Sequence, residues 1–126
     1  MHPNMPNLLD LDQATTAVVQ QAWRAVPSID WQRVMARIRI APLGNVSSID
    51  FSFQMADGRT GTGIEPVLEE ERRLDDAAYA HWRLTQDLGQ PSWYMMTVQL
   101  DRSGRYSVEF EYRDDYKEGD IMKSLD

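Results

Sequence analysis

"WYMMTVQLDRSGRYSVEFEYRDD", residues 93–115, reads as a β-hairpin. Tyr94, Met96, Val98 and Leu100 form one alternating apolar set, and Tyr106, Val108, Phe110 and Tyr112 form another. Between them Asp101-Arg102-Ser103-Gly104 has the small, polar and glycine residues that reverse a chain. Outward positions of the second strand include Arg105, Glu109, Glu111 and Arg113. A hairpin apolar on one face needs more strands beside it and a layer over it, because two strands alone are marginal in water.

The upstream sequence supplies both. In "WQRVMARIRI" (31–40), Val34, Ala36, Ile38 and Ile40 alternate with Arg33, Met35, Arg37 and Arg39, giving a half-buried strand with a basic outer face. "IDFSFQM" (49–55) puts Ile49, Phe51, Phe53 and Met55 on one face and Asp50, Ser52 and Gln54 on the other. Asp57-Gly58 is a turn signal, and "RTGTGI" (59–64) is a short strand weakened by glycine. Two helices cover this sheet. In the first, Asp10 is the expected N-cap with Gln13 in capping-box spacing; Leu11, Ala14, Val18, Ala22 and Ala25 share a small-residue face suited to close packing on the sheet, and Pro27 stops the helix. The second opens near Pro66 with Glu65, Glu69, Glu70 and Glu71 where the helix dipole favours acids. Glu69–Arg73 and Arg72–Asp76 are spaced for ion pairs. Leu74, Ala77, His81, Leu84 and Leu88 form its buried stripe, flanked by Ala78 and Trp82, and Gly89 and Pro91 end it. The expected fold is α+β: an antiparallel sheet of about four to five strands with two main helices on one face, in the order α-β-β-(β)-α-β-β.

The chain of 126 residues has the length of one domain, 1–126, with 1–9 expected to be flexible and 114–126 forming an acidic tail. Within that tail Ile121, Met122 and Leu125 suit a short turn docking back on the domain. No apolar run approaches the roughly 20 residues of a membrane span, and "MHPNMPNLLD" (1–10) has neither the basic nor the apolar region of a signal peptide. With no cysteine, disulfides and thiolate metal sites are excluded, and these features together favour the bacterial or general cytoplasm. Net charge is −7, unevenly placed. Residues 1–59 balance five acids with five arginines, whereas 60–126 hold fifteen acids and eight bases. This asymmetry opposes binding to nucleic acid or an anionic membrane and suits either solubility or a basic protein partner.

Catalytic chemistry is hard to find. His2 lies in the terminal segment, and His81 lies on an apolar helical stripe where a hydrogen-bonded core histidine is expected; no second histidine stands at metal-ligand spacing. "GRTGTG" (58–63) lacks the Lys-Ser/Thr ending of a phosphate loop, so turn and strand glycines account for it. Glu69, Glu70 and Glu71 are consecutive and radiate around a helix. Asp114, Asp115, Glu118 and Asp120 lack the spacing of a calcium loop. No catalytic residue, metal or cofactor is expected. Trp31 and Trp93 begin strands and fill sheet ends, while Tyr116 among acids is either an exposed anchor or a lid over the sheet end.

The hairpin, with its opening Trp93, its Ser103-Gly104-Arg105 turn and its acidic exit at Asp114 and Asp115, resembles the C-terminal hairpin of the YezG-like bacterial immunity proteins. "WQRV" (31–34) after Pro27, and the order of elements, resemble that family as well. The likeness covers about a third of the chain and is architectural elsewhere. It implies a cytoplasmic antitoxin that binds the toxin domain of a contact-dependent growth-inhibition or related polymorphic toxin system, often a nuclease. It carries over no catalytic residue. An acidic inhibitor can occupy the basic surface that a nuclease offers to phosphates. The candidate contacts are Glu69, Glu70, Glu71, Asp75 and Asp76 on the second helix, and Asp114, Asp115, Tyr116, Glu118 and Asp120 beyond the hairpin. The alternative from another class is a small acidic type III secretion chaperone, which size and a pI near 4.7 also suit. A small two-carboxylate hydrolase is a third reading, and it requires a pocket with convergent acids. Oligomeric state and the identity of the toxin are open at this point.

Overall fold

The structure, a computed structural model, describes residues 7–112. The expected tail, including Asp114, Asp115, Tyr116, Glu118, Asp120 and the Ile121–Leu125 docking turn, lies outside the described residues, as does His2.

Helix α1 spans Leu8–Ala25 and starts one turn earlier than Asp10 would dictate. Asn7 is the N-cap: its side-chain oxygen accepts from the Asp10 N–H at 3.1 Å, and Asp10 Oδ2 accepts from the Asn7 N–H at 2.9 Å. This reciprocal capping box satisfies two otherwise unpaired donors and brings Leu8 and Leu9, expected in a flexible segment, into the helix. Helix α2 spans Leu68–Asp87 with Val67 at the N-cap, so Pro66 precedes the helix instead of lying in its first turn. The Val67 N–H donates to Ala25 O at 2.9 Å, pinning the start of α2 to the end of α1. At its other end Gly89, at φ +72, lets Gln90 N–H reach Thr85 O and Gly89 N–H reach Gln86 O, the paired bonds of a Schellman motif.

Five antiparallel strands, β1 (Trp31–Ile40), β2 (Ser47–Met55), β3 (Thr60–Gly61), β4 (Met95–Asp101) and β5 (Tyr106–Glu111), form one sheet in the order β3-β2-β1-β4-β5. The α+β class and element order are those expected from the sequence. Val34, Ala36, Ile38 and Ile40 are buried under the helices with Phe53, Met96, Val98 and Leu100. On the opposite face the register sets Arg37 against Asp50 and Arg33 against Asp101, each pair 3.7 Å apart. Arg33 and Arg37 thus each face a carboxylate across the ladder, whereas Arg39 Nε and Nη1 are buried without a hydrogen-bond partner among the described residues.

The β4–β5 turn is a three-residue loop closed by Asp101 N–H to Arg105 O at 2.9 Å, with Gly104 at φ +97 in the left-handed position. Tyr94 departs from the expected alternation. Its N–H bonds Glu111 O, although Met95 is the residue paired with Glu111, so two residues oppose one. This bulge turns Tyr94 away from the main core into a second small cluster with Ala41, Val46 and Met95. Tyr106 and Tyr112 are both 57 % exposed, because β5 is an edge strand and among the described residues little lies beyond it to bury them.

The small-residue face of α1 packs against α2, and Val18, Val19 and Ala22 join the inward residues of β1 and β4 in one core, as expected for two helices on one sheet face. The buried stripe of α2 is Leu74, Ala78, His81, Trp82 and Thr85, while Ala77, Leu84 and Leu88 are only half-buried. Two neighbours, α1 and the sheet, compete for α2, and the stripe rotates to serve both. Among the described residues no helix is long and apolar enough to cross a membrane.

Candidate binding surface

The five candidate acids of α2 divide by direction. Glu70 turns towards α1: Gln21 Nε2 donates to Glu70 Oε2 at 2.6 Å and to Glu70 O at 3.0 Å. Arg73 Nη1 donates to Glu70 Oε1 at 3.0 Å, so Arg73 pairs with Glu70 and not with Glu69 as the spacing suggested. Glu70 is therefore a structural tie between the helices.

Glu71 and Asp75, one turn apart, are half-buried on a different side. The Ser47 hydroxyl at the start of β2 donates to Asp75 Oδ1 at 2.8 Å. Burial raises the Glu71 carboxyl above its ordinary range, and Asp75 and Glu65 add repulsion. Burial likewise raises Asp75, with Asp76 pushing the same way and the Ser47 hydroxyl opposing. Glu69 and Asp76 are exposed. Among the described residues no ion pair is formed by Glu65, Glu69, Glu71, Asp75 or Asp76. The structure thus gathers like charges without a compensating cation, an arrangement that costs stability and is relieved when a cation arrives. Sequence reasoning grouped Glu71 with Asp75, but the part played by Ser47 depends on a contact made only in the fold. Glu71 and Asp75 at i,i+4 are a visible like-charge pair.

His81 is held in the core. Trp93 Nε1–H donates to its Nδ1 at 3.0 Å, so the ring proton sits on Nε2 and is given to Thr15 Oγ1 at 2.9 Å; Thr15 in turn donates to Leu11 O at 3.0 Å. The ring stacks on Phe110 with centroids 5.3 Å apart. Burial lowers its pKa to about 4, and both ring nitrogens are occupied. Trp93 is fully buried, though it precedes β4 instead of opening it.

Two open hollows flank the end of the sheet where β1 begins. One, of about 670 Å³, is lined by Arg33, Met35, Gln54, Gln99, Asp101 and Arg105 among others. The other, of about 640 Å³, lies beside Trp23 and Trp31, whose rings meet edge-on at 5.2 Å, with the Arg102 guanidinium 5.0 Å from the Trp31 ring. Each holds a single carboxylate, Asp101 or Asp30, so neither sets two acids across a cleft, and the α2 acids line neither. Among the described residues no group of three or more His, Asp or Glu is placed to hold a metal ion. Searches of protein-family models and of curated proteins found no match to this chain.

Proposed function

We propose that this protein is an immunity protein that binds and neutralises a cognate bacterial toxin domain of basic surface, a nuclease, within a contact-dependent growth-inhibition or related polymorphic toxin system. The observation carrying this reading is the uncompensated cluster of Glu65, Glu71 and Asp75, with Glu69 and Asp76 exposed on the same helix. A Lys- or Arg-rich face brought against it offsets the mutual repulsion of these carboxylates. Binding energy then comes from charges that destabilise the free protein. The excess of acids in residues 60–126 steers such a partner during encounter, and the resemblance of the 93–115 hairpin to the YezG-like immunity proteins points the same way.

The test is co-expression with candidate basic nuclease toxin domains, followed by binding kinetics with any that the protein neutralises. The triple variant Glu69→Lys, Glu71→Lys, Asp76→Lys should lose protection and slow association at least about tenfold at low salt. Unchanged protection and association would remove α2 from the interface.

A further inference from the structure

Among the described residues the outer edge of β5 has no partner strand. Asp101 N–H to Arg105 O is the bond that closes the β4–β5 ladder. Hydrogen-bonded and non-bonded pairs alternate along an antiparallel ladder. Ser107, Glu109 and Glu111 therefore turn their N–H and C=O groups to β4, while Tyr106, Val108 and Phe110 turn theirs outward. The β1–β4 side agrees: Ile40 N–H to Tyr94 O and Arg102 N–H to Gln32 O give β4 the complementary parity. Among the described residues nothing bonds to the outward groups of Tyr106, Val108 and Phe110. The opposite edge, β3, is only two residues long. β5 carries Glu109 and Glu111, the charges that commonly guard an unpaired edge, so only a register that gives them complementary partners permits pairing.

We infer that the chain forms a two-fold dimer through antiparallel pairing of β5 with β5 of a second copy, making one continuous sheet across both. Centring the axis on Val108 sets Val108 opposite Val108 and Tyr106 opposite Phe110, the residues whose backbone groups are free. This register overlaps the whole of β5. On the open sheet face it sets exposed Arg105 against exposed Glu111 of the second copy, and Ser107 against Glu109, each twice by symmetry. Moving the axis to Glu109 would bring the two Glu109 side chains together, which like-charge repulsion opposes. On the helix side, Tyr106, 57 % exposed in one copy, meets Phe110 of the other. Self-complementarity in backbone, charge and aromatic contact within one register is what an isologous interface requires. The segment following β5 is a poorer occupant, since Asp114, Asp115, Glu118 and Asp120 would bring acids to Glu109 and Glu111.

Sedimentation equilibrium of the full chain without any toxin tests this independently of the toxin-binding reading. The native chain should be dimeric at about 100 µM, and Arg105→Glu should weaken the dimer at least about tenfold by setting Glu against Glu111. Glu111→Arg should do the same, and the double swap should return the dissociation constant to within about threefold of native. Amides of Tyr106, Val108 and Phe110 should exchange more slowly as concentration rises. A monomer at that concentration, a dimer indifferent to Arg105→Glu, a double swap without rescue, or amides equally protected in the monomer would each overturn it.

Discussion

The indole N–H of Trp93 meets Nδ1 of His81 at 3.0 Å, joining the lead-in to β4 with the middle of α2. That bond fixes the tautomer, and the Thr15 hydroxyl completes the ring's hydrogen bonding from α1. Three segments distant in sequence thus meet at one neutral imidazole.

Acid should destabilise the fold through this residue. The folded pKa of about 4 lies below the ordinary 6.5, so only the unfolded chain takes up the proton between those values. Stability from this group is full above pH 6.5, falls as pH drops towards 4, and loses nothing further below, a total of about 3 kcal/mol. Urea unfolding at intervals from pH 7 to 4 should show this slope, and His81→Gln should flatten it.

Glu71 and Asp75 should act in the opposite sense. Their carboxyls are raised in the folded protein, so the folded state binds more protons in that window and gains stability as pH falls through it. Glu71→Gln should raise the melting temperature at pH 7 by about 1–3 °C. Added salt should raise the native melting temperature more than that of the variant, because it screens a repulsion the variant lacks.

Glu69 and Glu70 are adjacent, yet charge reversal should separate them. Glu70→Lys breaks the Gln21 and Arg73 bonds and places cations together, costing about 1–3 kcal/mol of stability. Glu69→Lys, on the exposed side, should stay within about 0.5 kcal/mol of native. Denaturant titration of both variants checks this, and it sets a stability control for any loss of binding.

Gly44 should tolerate no side chain. It sits at φ +72 in the β1–β2 loop, and a Cβ there would lie 2.9 Å from Trp82 Cζ3. Gly44→Ala should cost about 1–3 kcal/mol from backbone strain and the displaced indole. Gly63, at φ +70 with open space around it, should lose less on the same substitution, as thermal melts of the two would show.

The strands were legible because side-chain period two assigns a face to every residue. Val34, Ala36, Ile38 and Ile40, and Met96, Val98 and Leu100, all point into the core as it requires, although Thr97 on the other face of β4 is buried too. Tyr94 escaped because a bulge changes the period by one residue without any glycine or proline to announce it. Arg73 escaped for another reason. Gln21, far away in sequence, holds the Glu70 carboxylate in place, so Arg73 turns to an oriented partner in preference to the free Glu69. The first cap was misplaced because Asn7 and Asp10 are both good caps, and only reciprocal bonding selects between them. In the candidate surface the type of charge was readable, but not which acids are tied down and which stand free. That division is made by Ser47 and Gln21 from outside the helix.

The central place of β1, between β2 and β4, has a consequence during synthesis on the ribosome. Its β2 partner follows it closely, but its other partner, β4, emerges only with residues 95–101. Until then Val34, Ala36, Ile38 and Ile40 belong to a strand with one open flank, and His81 lacks its indole donor. Nascent chains stalled before β4 should therefore be more prone to aggregate, and the emergence of β4 and β5 is what completes the sheet beside β1.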